Sequence, residues 1–463
     1  MDWLIARFAQ APERLAFIHQ GRQVYYGDVL RTIEGFTTQI RQADIVHGDR
    51  VVVLGDYSPE VLCLFFALAL QGAILVPLTR ESVVEENVAL GVCGCDWFIE
   101  FPVGATQAAI IRRPIALDNP LLNEFRKKNQ PGLVLFSSGS TGKPKGILYD
   151  FSRIAEKFRK QREPVVAIPF LMIDHFGGIN TILAITSSLG TVVTVADRSV
   201  ASICRAIEKY KVELLPTTPS FLTMLMASRL NQQFDLSSLK RISYGTEVMP
   251  QSTLDRVRTA FPGVELLQTY GLSEVGVLRS QSRPDGSLWV RLGGPGFETK
   301  VVDDILWIKS EFAMEGYLNA PSEFDSEGWF NTRDRVEVDD EFFRILGRTT
   351  DIINVGGQKV YPAEVEDFLL QLDNIVDVAV YGEPSPLLGQ LVVAKVQLAT
   401  PEPADQLKRR IRQACAGKLT SFKIPSKVIV SQEPLYSARQ KKMRSAAPAA
   451  TAADATAPAA MKG

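Results

Sequence analysis

The chain has 463 residues, 51 basic and 52 acidic, so it is long enough for two or three domains and lacks the basic excess that nucleic-acid binding requires. Its five cysteines, an odd number in a long chain, fit a reducing compartment rather than a disulfide framework. Three histidines (His19, His47, His175) and the absence of a Gly-x-Ser-x-Gly elbow leave the chemistry to Lys, Arg, Asp, Glu and backbone dipoles.

In chain order, the start MDWLIARFAQ has neither the basic beginning nor the long apolar core of a signal peptide, and a cytoplasmic, membrane-free protein is expected. The run Val61 to Leu78 approaches membrane-spanning length. Ser58-Pro59-Glu60 reads as a helix start and Gly72 as its stop, so a buried helix followed by a buried strand is the expectation. Cys93 and Cys95 form a lone C-x-C, which without partners does not make a metal site. The basic segments Phe125 to Lys128 and Arg153 to Glu163 read as solvated helix faces, with phosphate contacts as the alternative.

Leu133 to Asp150, LVLFSSGSTGKPKGILYD, is a Gly/Ser-rich loop between two apolar runs. A Walker loop needs Gly-x-x-x-x-Gly-Lys-Ser/Thr opening a helix. Here Pro144 follows Lys143, Ser137 stands where the first Gly belongs, and a strand pattern follows, so this is not a Walker loop. Backbone N–H groups around Gly139 and Gly142, with the hydroxyls of Ser137, Ser138, Ser140 and Thr141, suit an anion nest; a solvated hairpin tip is the alternative.

From about residue 165 strand and helix patterns alternate, which predicts a parallel sheet covered by helices, with ligands at the carboxyl ends of strands. The loops after LVLFS, RISYG and LLQTYG are therefore candidate sites. After about Gly293 short alternating strands follow, then a small α+β unit, then an Ala/Pro tail from Ser445.

FSSGSTGKPKG, TYGLSEVG, GWFNTRD, ILGRTTDIINVGGQKVYPAEVE and RQKKMR occur in this order. Together they resemble the signature segments of adenylate-forming enzymes, the superfamily of acyl-CoA synthetases, adenylation domains and luciferases, over residues 10 to 444. The resemblance implies an α/β fold: a large domain (1–347) of parallel sheets covered by helices plus a distorted β subdomain, a hinge at 348–350 and a small mobile α+β lid (351–444); beyond it the low-complexity Ala/Pro tail (445–463) reads as disordered. It also implies ATP-dependent activation of a carboxylic acid to an acyl-adenylate with release of pyrophosphate, then transfer to CoA or to a carrier protein's phosphopantetheine. A carboxylate with pKa about 4 needs no general base, so the implied catalysis is positioning plus cations on the α-phosphate.

The resemblance implies the following roles. Lys441 is the cation that bridges carboxylate and α-phosphate, with Lys442 as its rival; Gln440 departs from the family's Gly. Glu274 holds Mg2+ and Ser273 supplies a hydroxyl to the α-phosphate. Residues 137–143, with Lys143 as charge partner and Lys145 structural, hold the departing phosphates. Gly245, Thr246, Glu247, Thr269, Tyr270 and Gly271 belong to the nucleotide site, Tyr270 stacking on adenine. Asp334 and Arg348 hold the ribose, beside Arg333 where the family has Gly. Thr350 is the hinge residue and Gly357 lines the thiol tunnel.

His175 stands where amino-acid-activating relatives place an Asp, which favours an acyl or aryl acid; a one-residue slip brings in Asp174 and an amino acid. Phe176, Ile179, Val277 and Leu278 are assigned to the acid pocket, which Tyr244 is expected to shorten, giving a small or medium acid. The alternatives are an adenylation enzyme that loads a carrier protein with an amino or aryl acid, a luciferase-like oxidase, and an impaired acyl- or nucleotide-binding scaffold. A monomer or homodimer is expected.

Overall fold

The computed structural model describes residues 1–82, 84–101, 107–138, 144–437 and 442–444. They form two compact units, Met1–Thr350 (with 436–437) and Asp351–Leu435 (with 442–444).

The long apolar run folds as the sequence predicts. Ser58 Oγ accepts a hydrogen bond from Val61 N at 3.1 Å, Pro59 occupies the first turn, and Gly72 ends the helix Pro59–Gln71 at φ 77°. Every residue of Pro59–Ala69 is buried, and the strand Ile74–Leu78 follows, buried throughout. No helix among the described residues is long and apolar enough to cross a membrane.

That strand sits in the middle of a seven-stranded sheet ordered Gly316–Tyr317, Pro144–Asp150, Gly132–Ser138, Ile74–Leu78, Arg50–Leu54, Cys95–Glu100, Ala109–Ile115. A second seven-stranded sheet is ordered Glu265–Gln268, Arg241–Tyr244, Leu214–Thr217, Val166–Ala167, Thr191–Val193, Leu15–His19, Arg22–Tyr25. Both sheets are mixed. Their centres are parallel, whereas Pro144–Asp150, Ala109–Ile115 and Arg22–Tyr25 pair antiparallel. The run VVAIPF contributes only Val166–Ala167 to its sheet, because Pro169 has no N–H for the ladder. Ile168 and Phe170 remain fully buried, so the apolar signal was one of burial rather than of strand.

The alternating segment from Arg279 to Arg348 makes a six-stranded antiparallel sheet. Its hairpin Phe297–Val302/Ile305–Ser310 turns through Asp303 (φ 51°) and Asp304 (φ 60°), both left-handed as a two-residue hairpin requires. In the second unit five strands pack against the helices Pro362–Leu369 and Ala404–Cys415. Gly356 (φ 57°) and Gly357 (φ 84°) are the corresponding turn there, between Ile353–Val355 and Gln358–Val360. Backbone geometry therefore already demands a glycine at 357. All five cysteines are buried and unbridged, and burial raises the thiol pKa of each.

Candidate active site

Three parallel strands set the site's framework. Leu214–Thr217, Arg241–Tyr244 and Glu265–Gln268 run in register, Thr217 beside Tyr244 beside Gln268, so the loops that follow them emerge side by side. The fit is close: a Cβ on Gly245 would lie 2.5 Å from Thr269 Oγ1 and 2.6 Å from its carbonyl oxygen. Thr246 follows at φ 72°.

These loops open on a cavity of about 720 Å3. Ser137, Gly245, Thr246, Thr269, Ser273 and Glu274 line it near the strands' carboxyl ends. Tyr270, Gly271, Thr332, Arg333 and Arg348 continue the wall. From there it runs between the sheet and the helix Phe176–Ser187. On the helix, Gly177, Asn180, Thr181, Ala184 and Ser188 form one stripe. The facing strand residues alternate by two: Leu214 and Pro216, Arg241 and Ser243, Glu265 and Leu267. His175 caps the helix, its Nδ1 accepting from Gly177 N at 3.0 Å, and Phe176 packs on Tyr149 with ring centres 5.2 Å apart.

A chain of polar contacts holds Glu274. Tyr317 Oη donates to Glu274 Oε1 at 2.8 Å, and Met314 N donates to the Glu274 carbonyl at 2.9 Å. Burial first, and the Glu274 charge second, push the Tyr317 phenol up, so it stays a donor. Lys145 Nζ lies 4.5 Å from the Tyr317 ring centre and pairs with Glu323 at 2.6 Å; Glu323 also meets Arg333 at 3.4 Å. Tyr149 Oη donates to the Ser273 carbonyl at 2.7 Å.

Arg333 holds φ 60°, a left-handed conformation that glycine adopts without strain. Asn331 Oδ1 accepts its N–H at 2.9 Å. Next to it Asp334, 6% exposed, pairs across the strands with Arg348 (Nε–Oδ1 3.4 Å) and accepts from Tyr270 Oη.

Two family models match the chain: AMP-binding enzyme over residues 5–318, and AMP-binding enzyme C-terminal domain over residues 364–442. The chain belongs to the AMP-binding enzyme family. It is 27% identical to a feruloyl-CoA synthase of Amycolatopsis sp, over 92% of this chain and 94% of that protein. With an indoleacetate–CoA ligase of Aromatoleum aromaticum the identity is 26%, over 93% and 94%. The fold matches that of an o-succinylbenzoate coenzyme A synthetase from Bacillus subtilis in complex with ATP and magnesium ion, with TM-score 0.74, 22% identity and 96% and 98% coverage.

Several residues of this AMP-binding enzyme lie elsewhere than the sequence suggested. Tyr244 is on the opposite face of its strand from Ser243, 2% exposed and packed in the core; with Leu278 it borders a second cavity. It therefore does not shorten the first cavity. Ile179 is likewise core, whereas Val277 lines both cavities. The Glu247 carboxylate accepts from Ser220 N (3.2 Å) and Ser220 Oγ (2.7 Å), and so serves the start of the helix Pro219–Ser228. Asp174 is buried and accepts from Ser82 Oγ at 2.5 Å, away from the cavity wall that His175 joins. Both oxygens of Asp334 are engaged within the protein, by Tyr270 and Arg348.

Gly139, Ser140, Thr141, Gly142, Lys143, Gln440 and Lys441 lie outside the described residues; Ser138 ends its strand, paired with Pro144. Lys442 Nζ pairs with Asp377 Oδ1 at 3.0 Å and donates to Val378 O at 2.8 Å. Arg444 makes a two-pronged pair with Glu366 at 2.8 and 2.9 Å. In the basic segments, Lys128 and Arg153 both meet Glu315. Sequence reasoning missed Tyr317, Glu323 and Ser243; it also missed the small-residue stripe of Phe176–Ser187, whose helical spacing was there to be read.

Proposed function

We propose that the chain condenses a carboxylic acid with ATP to an acyl-adenylate, releasing pyrophosphate, and then transfers the acyl group to CoA. The observation that carries this reading is the single cavity joining Ser137, Thr246, Ser273, Glu274 and Arg348 to a cleft between helix and sheet. One part presents hydroxyls, backbone N–H groups and a carboxylate suited to phosphates. The other presents small and apolar groups suited to an acyl or aryl body. The two relatives named for CoA thioesters support CoA as the acceptor over a carrier-protein phosphopantetheine.

The acid's carboxylate would enter from the cleft and meet the α-phosphate near Ser273 and Thr246, where Ser273 donates a hydrogen bond. Among the described residues no hydrogen bond or ion pair engages the second carboxylate oxygen of Glu274, and a hard oxygen of this kind suits magnesium. Magnesium, when bound, neutralises phosphate charge as it passes to the leaving pyrophosphate. Lys441 supplies the cation between carboxylate and α-phosphate, because Lys442 is spent on Asp377. Residues 348–350 act as the hinge through which 351–444 reorient between the two half-reactions, with Gly357 in the thiol path. Tyr270 and Arg348 orient the nucleoside, Asp334 reaching the ribose once its present partners yield.

With Asp174 bonded to Ser82, the cavity wall offers His175 at that position, which supports an acid without an α-ammonium group. The test is acid-dependent ATP–pyrophosphate exchange across a panel of carboxylic acids, followed by thioester formation with CoA and with a carrier protein. Exchange with acyl or aryl acids and CoA thioester product is expected. No exchange with any acid, or exchange with amino acids alone, overturns the reading.

A further inference from the structure

The second cavity, about 670 Å3, lies at the edge strand Glu265–Gln268 and adjoins the first. Arg162, Asn180, Ala184, Arg241, Leu267 and Val277 line both. Its wall carries six cations, Lys157, Arg162, Arg241, Arg258, Arg279 and Arg283, against one carboxylate, Glu265. Glu265 is committed to Arg241 at 2.6 Å, and Arg283 is committed to Asp339 at 2.7 Å. Among the described residues no carboxylate pairs with Lys157, Arg162 or Arg279. Lys157 Nζ donates only to neutral oxygens, Asn180 Oδ1 (2.9 Å) and the Val277 carbonyl. Burial, with Arg162 and Arg279 adding to it, lowers the Lys157 pKa to about 7, and burial first, then Arg279 and Arg241, lowers that of Arg162. Mutually repelling cations in one concave wall destabilise the empty protein, and an anionic ligand would relieve them.

We propose that the acid substrate carries a second anionic group, a carboxylate or sulfonate remote from the one that is adenylated, and that Arg162, Arg279 and Lys157 bind it. This rests on the ligase reading. The wall shared by the two cavities favours the acid's own tail over the phosphates of the thiol acceptor. The cleft runs along the strand from Arg241 to Tyr244, three residue steps, so the two anionic groups stand roughly 10 Å apart.

The experiment compares matched pairs, a straight-chain monoacid with the α,ω-diacid of equal length, and an arylpropanoate with its para-carboxy analogue. Exchange kinetics are run with ATP, and calorimetric binding without it. The diacids should be favoured at least about tenfold in kcat/KM. In Arg279→Gln and Arg162→Gln the diacid KM should rise until that preference is gone. The melting temperature of each ligand-free variant should hold or rise, because repulsion is removed, which separates lost binding from lost folding. Equal use of both acids, or variants that weaken both alike, overturns the proposal. So does a rise in KM for CoA but not for dephospho-CoA, which assigns the cluster to the acceptor. Diacid binding abolished by the variants, without exchange for any acid, supports the anion site and sinks the ligase reading; no binding of either acid sinks the proposal.

Discussion

At the scale of single residues, adjacent lysines separate into different jobs. Lys442 and its partner Asp377 are 6% and 2% exposed, so losing one leaves a buried charge uncompensated. Lys442→Ala should cost about 3–5 kcal/mol in the denaturant stability of the second unit. Lys441→Ala should leave that stability within about 0.5 kcal/mol while abolishing adenylation and sparing thioester formation from supplied acyl-adenylate. If Lys442→Ala instead gives the adenylation defect in a fully stable protein, the assignment of Lys441 fails. Tyr317 acts through Glu274. In Tyr317→Phe the carboxylate loses its donor, and the magnesium concentration needed for half-maximal exchange should rise about fivefold, from roughly 1 kcal/mol. The KM for the acid should not move; a shift there would make Tyr317 part of the acid site.

At the scale of elements, period-two alternation decides what Tyr244 does. Its ring belongs to the core, so Tyr244→Ala should cost about 3–5 kcal/mol through a cavity and leave unchanged the chain-length preference among monoacids that stay within the first cavity. A shift of that preference toward longer acids would show that the ring walls the acid cleft after all. The same strand shows what the sequence conceals. RISYG marked a strand and a loop, but not which face meets the ligand, because that depends on the helix Phe176–Ser187 lying across Ser243. Helix caps at Ser58 and Gly72 were legible because local backbone chemistry fixes them. The basic cavity was legible only in part: Lys157 and Arg162 belong to the basic segment Arg153 to Glu163, but Arg258 and Arg279 come from other segments that only packing brings to it. Glu247 shows the converse: a polar residue beside a ligand loop is already bonded to Ser220.

At the scale of the whole molecule, the two units have separate cores. In the second unit burial raises the pKa of the Glu366 carboxyl, but the charges of Arg444 and Lys442 outweigh that and hold it below the usual carboxylate range. A carboxylate depressed in the folded state stabilises above its unfolded pKa of about 4.3, and that stability is lost as pH falls through the folded value. Melting of the second unit, followed by hydrogen exchange on Pro362–Leu369, should therefore weaken below about pH 4 and stay level from pH 5 to 7. A loss that sets in above pH 6 would assign the titration elsewhere.

All five thiols lie inside the protein as neutral, weakly acidic groups. A chromogenic disulfide reagent should thus be blind to the native enzyme and see only the acceptor's thiol. Progress of the second half-reaction then becomes a direct colour loss with a flat baseline, and unfolding the protein in the same cuvette should release five equivalents of thiol, an internal calibration of the enzyme's own concentration.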